Sequence, residues 1–105
     1  MVNEVFYCND ELIDLTELHK LGDYLENRGY SYKYDMRGHQ IIVFYKDTDV
    51  RWFDVVCHNF SYGHEKGLLE SWGIEIGGEN PGDDFVRGWL TAQDVIDHLE
   101  LTGTR

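Results

Sequence analysis

The sequence has few of the features that mark membrane, secreted or zinc-binding proteins. It contains no apolar run of about 18 residues, the length that a membrane-spanning helix needs. Its first residues lack the basic and apolar regions of a signal peptide, and it has only two cysteines. We therefore expect free thiols and a cytoplasmic protein. Neither cysteines nor histidines show the C-x2-C or H-x3-H spacing of a zinc site, so no metal and no cofactor are predicted.

Positive charge is also scarce. Nine lysines and arginines oppose 20 aspartates and glutamates, which gives a net charge of −11. The excess lies in residues 1–30, with seven acids and two bases, and in residues 59–105, with nine acids and three bases. Such a chain repels a phosphate backbone, so we expect no direct binding of nucleic acid. The acids favour either an ordinary solubilising surface or a face that attracts a basic protein partner.

The length of 105 residues and the apolar content of 42% indicate a single domain, residues 1–105, with its own core. The periodicity predicts an α+β fold: a three- or four-stranded, mainly antiparallel sheet with two principal helices packed on it, at 15–28 and 92–101. The other expected elements are strands at 30–34, 40–46 and 50–58, a short helix at 66–72 after this third meander strand, a possible edge strand at 74–76, and residues 4–8 and 11–13, which form either a hairpin or an extended arm.

Both principal helices carry cap signals. Asp14 is followed by Glu17, and Thr91 by Asp94, at the spacing of a capping box. Gly29 supplies the left-handed residue that ends the first helix. The apolar stripes that should face the sheet are Leu18, Leu21, Gly22 and Leu25 in the first helix and Ala92, Val95, Ile96 and Leu99 in the second.

Two features concern the packing beneath the first helix. Gly22 interrupts the apolar stripe, which predicts that a bulky sheet residue approaches the helix backbone there. Tyr30, Tyr32 and Tyr34 alternate, which puts three tyrosines on one face of a strand. An aromatic core face under the helix is favoured over a binding platform for these tyrosines.

Side chains that could bind a metal or take part in catalysis are concentrated in the loop after the third meander strand. Cys57 and His58 are adjacent on a strand, so they point to opposite faces and suit one metal ion poorly. A Cys57–His64 nucleophile pair lacks an orienting acid, and a free cysteine at a strand end is most often buried. Ser61 and Gly63 lack the neighbours of a phosphate loop, so Ser61 or Glu65 is interpreted as the cap of the short helix and Gly63 as a turn residue with positive φ. We predict no catalytic residue here, and the candidate binding residues are Tyr62, His64 and Glu65.

The second principal helix offers another candidate binding surface. Its acids Asp94, Asp97 and Glu100 lie off the apolar stripe, and we expect them to attract a basic partner. Further acids in the preceding loop would extend the same negative field, and these are Glu79, Asp83 and Asp84.

Two segments carry a resemblance to a known group of proteins. SYGHEKGLLESWG (Ser61–Gly73) and GWLTAQDVIDHL (Gly88–Leu99), with DVVCH before them, resemble small acidic proteins encoded in phages and prophages of Gram-positive bacteria. The likeness covers roughly the second half of the chain. It implies a phage-linked, cytoplasmic context and a host-directed interaction protein, and it implies no catalytic residues.

The favoured function is therefore a non-catalytic protein–protein interaction module. The alternative is a small enzyme or ligand-binding protein that uses the His58–Glu65 loop, for which a closed apolar pocket beneath Tyr62 and His64 would be the distinguishing feature. A third hypothesis is a homo-oligomer that associates through exposed aromatic side chains such as Trp72 or Trp89.

Overall fold

The computed structural model describes residues 5–8, 11–35, 39–74, 76 and 85–102. Within these ranges the chain is α+β, as the periodicity predicts, with a two-stranded hairpin, a five-stranded antiparallel sheet and two α-helices. In chain order the elements are β1 (Val5–Cys8), β2 (Glu11–Asp14), α1 (Thr16–Asn27), β3 (Tyr32–Asp35), β4 (Gln40–Phe44), β5 (Arg51–Val56), β6 (Leu69–Trp72), β7 (Val86–Leu90) and α2 (Ala92–Thr102).

The larger sheet is a continuous meander. Strands β3 to β7 lie side by side in chain order, and each pairs antiparallel with the next. The connections between β3, β4 and β5 are short, which favours this arrangement. The sheet has five strands rather than the predicted three or four because β6 and β7 extend it beyond the third strand of the meander.

The prediction of a short helix at 66–72, after β5, is wrong. A single 3-10 turn, His64–Lys66, is followed by Gly67 with a left-handed φ of 69°, which ends the turn. The next residues form β6, which buries Leu69 and Ser71 and pairs with β5 and β7. Pairing on both sides therefore outweighs the helix-compatible spacing of Leu68 and Leu69 with Trp72, because strand formation depends strongly on tertiary context.

The edge strand also differs from the prediction. Ile74 and Ile76 are buried in the core but belong to no strand, and Glu75 between them lies outside the described residues. At this end of the sheet, opposite β3, the edge strand is β7. Its alternation is hard to recognise because Gly88 has no side chain and because Trp89, with a φ of 56°, lies where the pairing with β6 is irregular.

Of the two alternatives for the N-terminal segment, the hairpin is present. β1 and β2 pair antiparallel from Val5 opposite Asp14 to Cys8 opposite Glu11. The residues between the two strands, 9–10, lie outside the described part of the chain.

The start of α1 differs by one residue from the prediction. Leu15 occupies the N-cap position, and Asp14 Oδ1 accepts hydrogen bonds from the backbone N (3.0 Å) and the hydroxyl (2.6 Å) of Thr16. These bonds hold the pKa of the Asp14 carboxyl below its ordinary value. Glu17 reaches the other helix, where its Oε1 accepts the backbone N–H of Ala92 at 2.7 Å. Glu17 therefore links the two helices, and Asp14 and Glu17 do not form a capping box.

The remaining cap predictions are confirmed. Thr91 N–H donates to Asp94 Oδ2 at 2.9 Å and Thr91 Oγ1 accepts from Asp94 N–H at 3.1 Å, which is the reciprocal pattern of a capping box. Gly29 follows α1 with a left-handed φ of 74°.

One face of the five-stranded sheet, called the inner face below, packs against both helices. The apolar stripes of α1 and α2 are buried in a single core with the inward side chains of the sheet. Tyr30 is buried and Tyr32 and Tyr34 pack against the core, so the tyrosines form an aromatic core face as predicted. A Cβ added at Gly22 would lie 3.7 Å from Ile41 Cδ1, an ordinary contact distance. The inner-face side chains of the strands are Ile41, Val43, Phe53, Val55, Leu69 and Leu90.

Candidate functional site

The opposite side of the sheet, called the outer face below, is defined by the strand register. Ile42, Asp54, Trp72 and Val86 are consecutive cross-strand partners, so they form one row across β4, β5, β6 and β7. Gln40, Val56 and Glu70 form the neighbouring row across β4, β5 and β6. Both rows alternate with the buried inner-face residues, so their side chains point away from the helices.

Large aromatic side chains are exposed at the β6–β7 end of this face. Trp72 is 47% exposed and Phe85 is 61% exposed, and their ring centroids are 6.2 Å apart. Tyr62 is 45% exposed and its ring lies 5.4 Å from that of Trp89. Soluble proteins rarely expose several large aromatic residues together without a binding role.

Tyr62 is brought to this face by the loop after β5. Its backbone N–H donates to Glu70 Oε1 at 3.0 Å, and its carbonyl oxygen accepts from Trp89 N–H at 3.4 Å. A Cβ added at Gly88 would lie only 2.6 Å from Tyr62 Cβ, so β7 has room for Tyr62 only because it carries glycine there. The Cβ atom of Tyr62 therefore packs directly against the β7 backbone at Gly88.

Asp54 is the buried acid of the outer face. It is only 9% exposed, and it lies at the centre of a row whose other members are Lys33 of β3 and the apolar residues Ile42, Trp72 and Val86. Gln40 Nε2 donates a short hydrogen bond to Asp54 Oδ2, and Arg51 Nη1 lies 3.8 Å from the same oxygen. Asp54 Oδ1 has no hydrogen-bond partner among the described residues. Burial raises the pKa of this carboxyl above its ordinary value.

The polar groups of the loop after β5 mainly hold the loop together. Ser61 Oγ accepts from His58 N–H at 3.0 Å and donates to the His58 carbonyl oxygen at 2.9 Å. His64 Nδ1 lies 2.6 Å from the Ser61 carbonyl oxygen and 3.4 Å from Glu65 Oε2. Gly63 has a φ of 96°, as its interpretation as a turn residue requires. Ser61 and His64 are thus committed to local bonds that close the loop.

Cys57 is a free and fully buried thiol. Burial raises its pKa to about 12, with a further contribution from the negative charge of Asp14. Its Sγ donates to the Asp14 carbonyl oxygen at 3.7 Å. A thiol with a raised pKa is a poor nucleophile and a poor metal ligand, since both roles need the thiolate.

The acids of α2 make bonds within the domain, and Asp97 and Glu100 remain exposed. Asp94 closes the capping box, and Asp97 Oδ1 accepts from Gln93 Nε2 at 2.7 Å. Glu100 Oε1 lies 2.9 Å from Arg28 Nη2 and accepts from the hydroxyl of Tyr24 at 2.6 Å. Asp94 and Glu100 therefore stabilise the helix start and the contact between the two helices.

The sequence-predicted site residues do not come together. Tyr62 is on the outer face, whereas α2 with Asp94, Asp97 and Glu100 packs on the inner face, so the sheet separates them. His64 and Glu65 lie in the 3-10 turn, where the adjoining Gly67 approaches Asp14 of β2. The structure adds outer-face residues that the sequence pattern does not assign to a site, and these are Asp54, Glu70 and Phe85. The one available signal was Asp54 itself, a lone acid inside the apolar run of the strand predicted at 50–58.

Comparison of the chain with protein-family models, with curated proteins and with solved structures found no match. In the described part of the chain, no three histidine, cysteine, aspartate or glutamate side chains are placed to hold a metal ion. No helix within the same residues has the length and apolar character to cross a membrane.

Proposed function

We propose that the protein is a non-catalytic protein–protein interaction module and that its contact surface is the outer face. The observation that carries this proposal is the group of exposed aromatic residues Tyr62, Trp72 and Phe85 on a sheet face whose other side is already filled by helices. Tyrosine, tryptophan and phenylalanine are enriched in protein interfaces, where they supply large contact areas.

Charge favours a basic partner over a second copy of the chain. The protein carries a net charge of −11, so two copies would repel each other at long range, whereas a basic partner would be attracted. On the outer face the carboxyl groups of Asp54 and Glu70 lie with the basic side chains of Lys33 and Arg51, so this attraction comes from the molecule as a whole.

The alternative of a small enzyme built on the His58–Glu65 loop has less support. Cys57 is buried with a raised pKa, and Ser61 Oγ is engaged with the backbone of His58. Neither group is arranged as an activated nucleophile.

The resemblance to phage and prophage proteins supports a bacterial host factor as the partner. A lysate of a Gram-positive bacterium is therefore the appropriate source for affinity capture. The baits are the wild type, a double variant Trp72→Ser/Phe85→Ser, and Asp97→Asn as the matched surface control on α2.

We expect the wild type and Asp97→Asn to retain the same basic protein, and the double variant to lose it. Circular dichroism and urea melts confirm that all three baits are folded. If the folded double variant retains every captured protein, the outer face is not the contact surface.

A further inference from the structure

We propose that the outer face recognises an arginine or lysine side chain of its partner, which lies on the Trp72 ring between the carboxyl groups of Asp54 and Glu70. This inference rests on the proposed function and specifies the chemical group that the interaction module binds.

The strand register places the three residues around one spot. Trp72 is directly opposite Asp54, and Glu70 is opposite Val56, two residues along each strand. Directly opposed residues have Cβ atoms about 4.5–5.5 Å apart, and the diagonal pair Asp54 and Glu70 is separated by roughly 7 Å or less at Cβ. Two carboxyl groups at this spacing can flank one guanidinium or ammonium group beside the ring.

The bonds already made by the two acids leave capacity for a cation. Asp54 Oδ2 is engaged by Gln40 and approached by Arg51, whereas its Oδ1 has no hydrogen-bond partner among the described residues. Glu70 uses Oε1 to accept the backbone N–H of Tyr62. Because Asp54 Oδ1 is closed to solvent, the cation of the partner would bond Glu70 directly and would interact with Asp54 through its charge at short range.

The aromatic surroundings suit the same ligand. Trp72 is 47% exposed and Tyr62 is 45% exposed, so cation–π contact is available on the open side of the sheet. Arginine stacks on aromatic rings and pairs with carboxylates through several N–H groups, which makes it the better fit of the two basic side chains.

The experiment is an NMR titration of the full chain with a defined peptide set. The peptides are acetyl-Gly-Leu-Arg-Leu-Gly-amide and three analogues in which the central residue is lysine, citrulline or glutamate. Citrulline is the neutral isostere of arginine, so it separates charge from shape. The indole N–H signal of Trp72, assigned with a Trp72→Phe variant, reports occupancy of the site.

We expect saturable shifts of the Trp72 indole and of the Asp54 and Glu70 amide signals with the arginine peptide. The citrulline peptide should bind about tenfold more weakly, and the glutamate peptide more weakly still. Asp54→Asn and Glu70→Gln should each weaken arginine-peptide binding by roughly 3–10-fold, and Asp97→Asn should leave it unchanged. Both amide variants keep an oxygen that accepts the hydrogen bond made by the native carboxyl, so they preserve the fold.

The inference is overturned if the citrulline peptide binds the outer face as tightly as the arginine peptide, or if Asp54→Asn and Glu70→Gln bind as the wild type does. Charge-independent binding at Trp72 would leave the outer face as an interaction surface and remove only its preference for a cation. Absence of any shift with all four peptides also overturns the inference, while affinity capture with the Trp72→Ser/Phe85→Ser variant separately decides the proposed function.

Discussion

The two faces of the sheet are built from alternate residues of the same strands and have opposite characters. On β5, Phe53 and Val55 are completely buried against the helices, while Asp54 between them points to the outer face. On β6, Leu69 and Ser71 are buried, while Trp72 is half exposed. The inner face therefore provides the stability of the domain, and the outer face combines aromatic surface with incompletely paired acids.

If the outer face is the contact surface that we propose, stability and recognition are separated by a single step along the chain. Because successive side chains of a strand point to opposite faces, a substitution can remove core packing while its neighbour changes only the binding surface.

Phe53 and Trp72 compare the two faces directly. Phe53→Ala removes a fully buried aromatic side chain and should lower the free energy of unfolding by about 3–5 kcal/mol. Trp72→Ala removes a half-exposed ring and should cost about 1 kcal/mol or less. Urea denaturation of both variants measures the difference. Equal losses would show that the outer face is as tightly packed as the inner one.

Leu99 and Asp97 make the same comparison on α2. Leu99 is buried and Asp97 is exposed, so Leu99→Ala should lower the free energy of unfolding by about 2–5 kcal/mol, and Asp97→Ala should change it little. Similar urea midpoints for the two variants would mean that α2 presents a different side to the sheet.

Gly22 tests whether the inner face has spare room. Its Cβ position lies 3.7 Å from Ile41 Cδ1, and glycine is unfavourable in a helix interior, so Gly22→Ala should raise the free energy of unfolding by up to about 1 kcal/mol. Gly63→Ala is the opposing control. It should destabilise, since Gly63 has a φ of 96° and its Cβ position lies 3.0 Å from Trp89 Cα. A loss of stability in Gly22→Ala would indicate tighter packing there.

The free energy of unfolding should depend on pH through Asp54. Its pKa is raised above the ordinary 3.8, so its contribution to stability is complete below that value and is lost as the pH rises through the folded-state pKa. Asp54→Asn removes this loss. The stability of the variant relative to wild type should therefore increase between about pH 4 and pH 7, as measured by urea melts at several pH values. A difference that stays constant or decreases over this interval would contradict the raised pKa.

The inner face was largely predictable from the sequence. The stripes of α1 and α2, the Thr91–Asp94 cap and the alternating tyrosines are local patterns with a period of 3.6 or 2, and the structure confirms them. These patterns can be recognised in the sequence because a helix or strand with one buried side has regularly spaced apolar residues.

The outer face was not predictable, because it depends on pairing between distant segments. Leu69–Trp72 belongs to the segment predicted as a helix and becomes a strand only when it lies between β5 and β7. Without that pairing, nothing in the sequence places Trp72 opposite Asp54 or Glu70 beside Tyr62. The acids of α2 were easier to notice, yet Asp94 and Glu100 serve the helix cap and the contact with α1. Charge reversal at those two positions would therefore disturb the fold as well as any binding.

We propose that the partner contacts the outer face and not the exposed side of α2. Site-specific photo-cross-linking distinguishes the two surfaces, with a benzophenone amino acid placed at position 72 in one protein and at position 97 in another. Both proteins are irradiated in the same Gram-positive bacterial lysate, and the products are identified by mass spectrometry. We predict that position 72 cross-links to a basic protein and that position 97 does not. Cross-linking of that protein from position 97 alone would show that the partner contacts α2 and not the outer face.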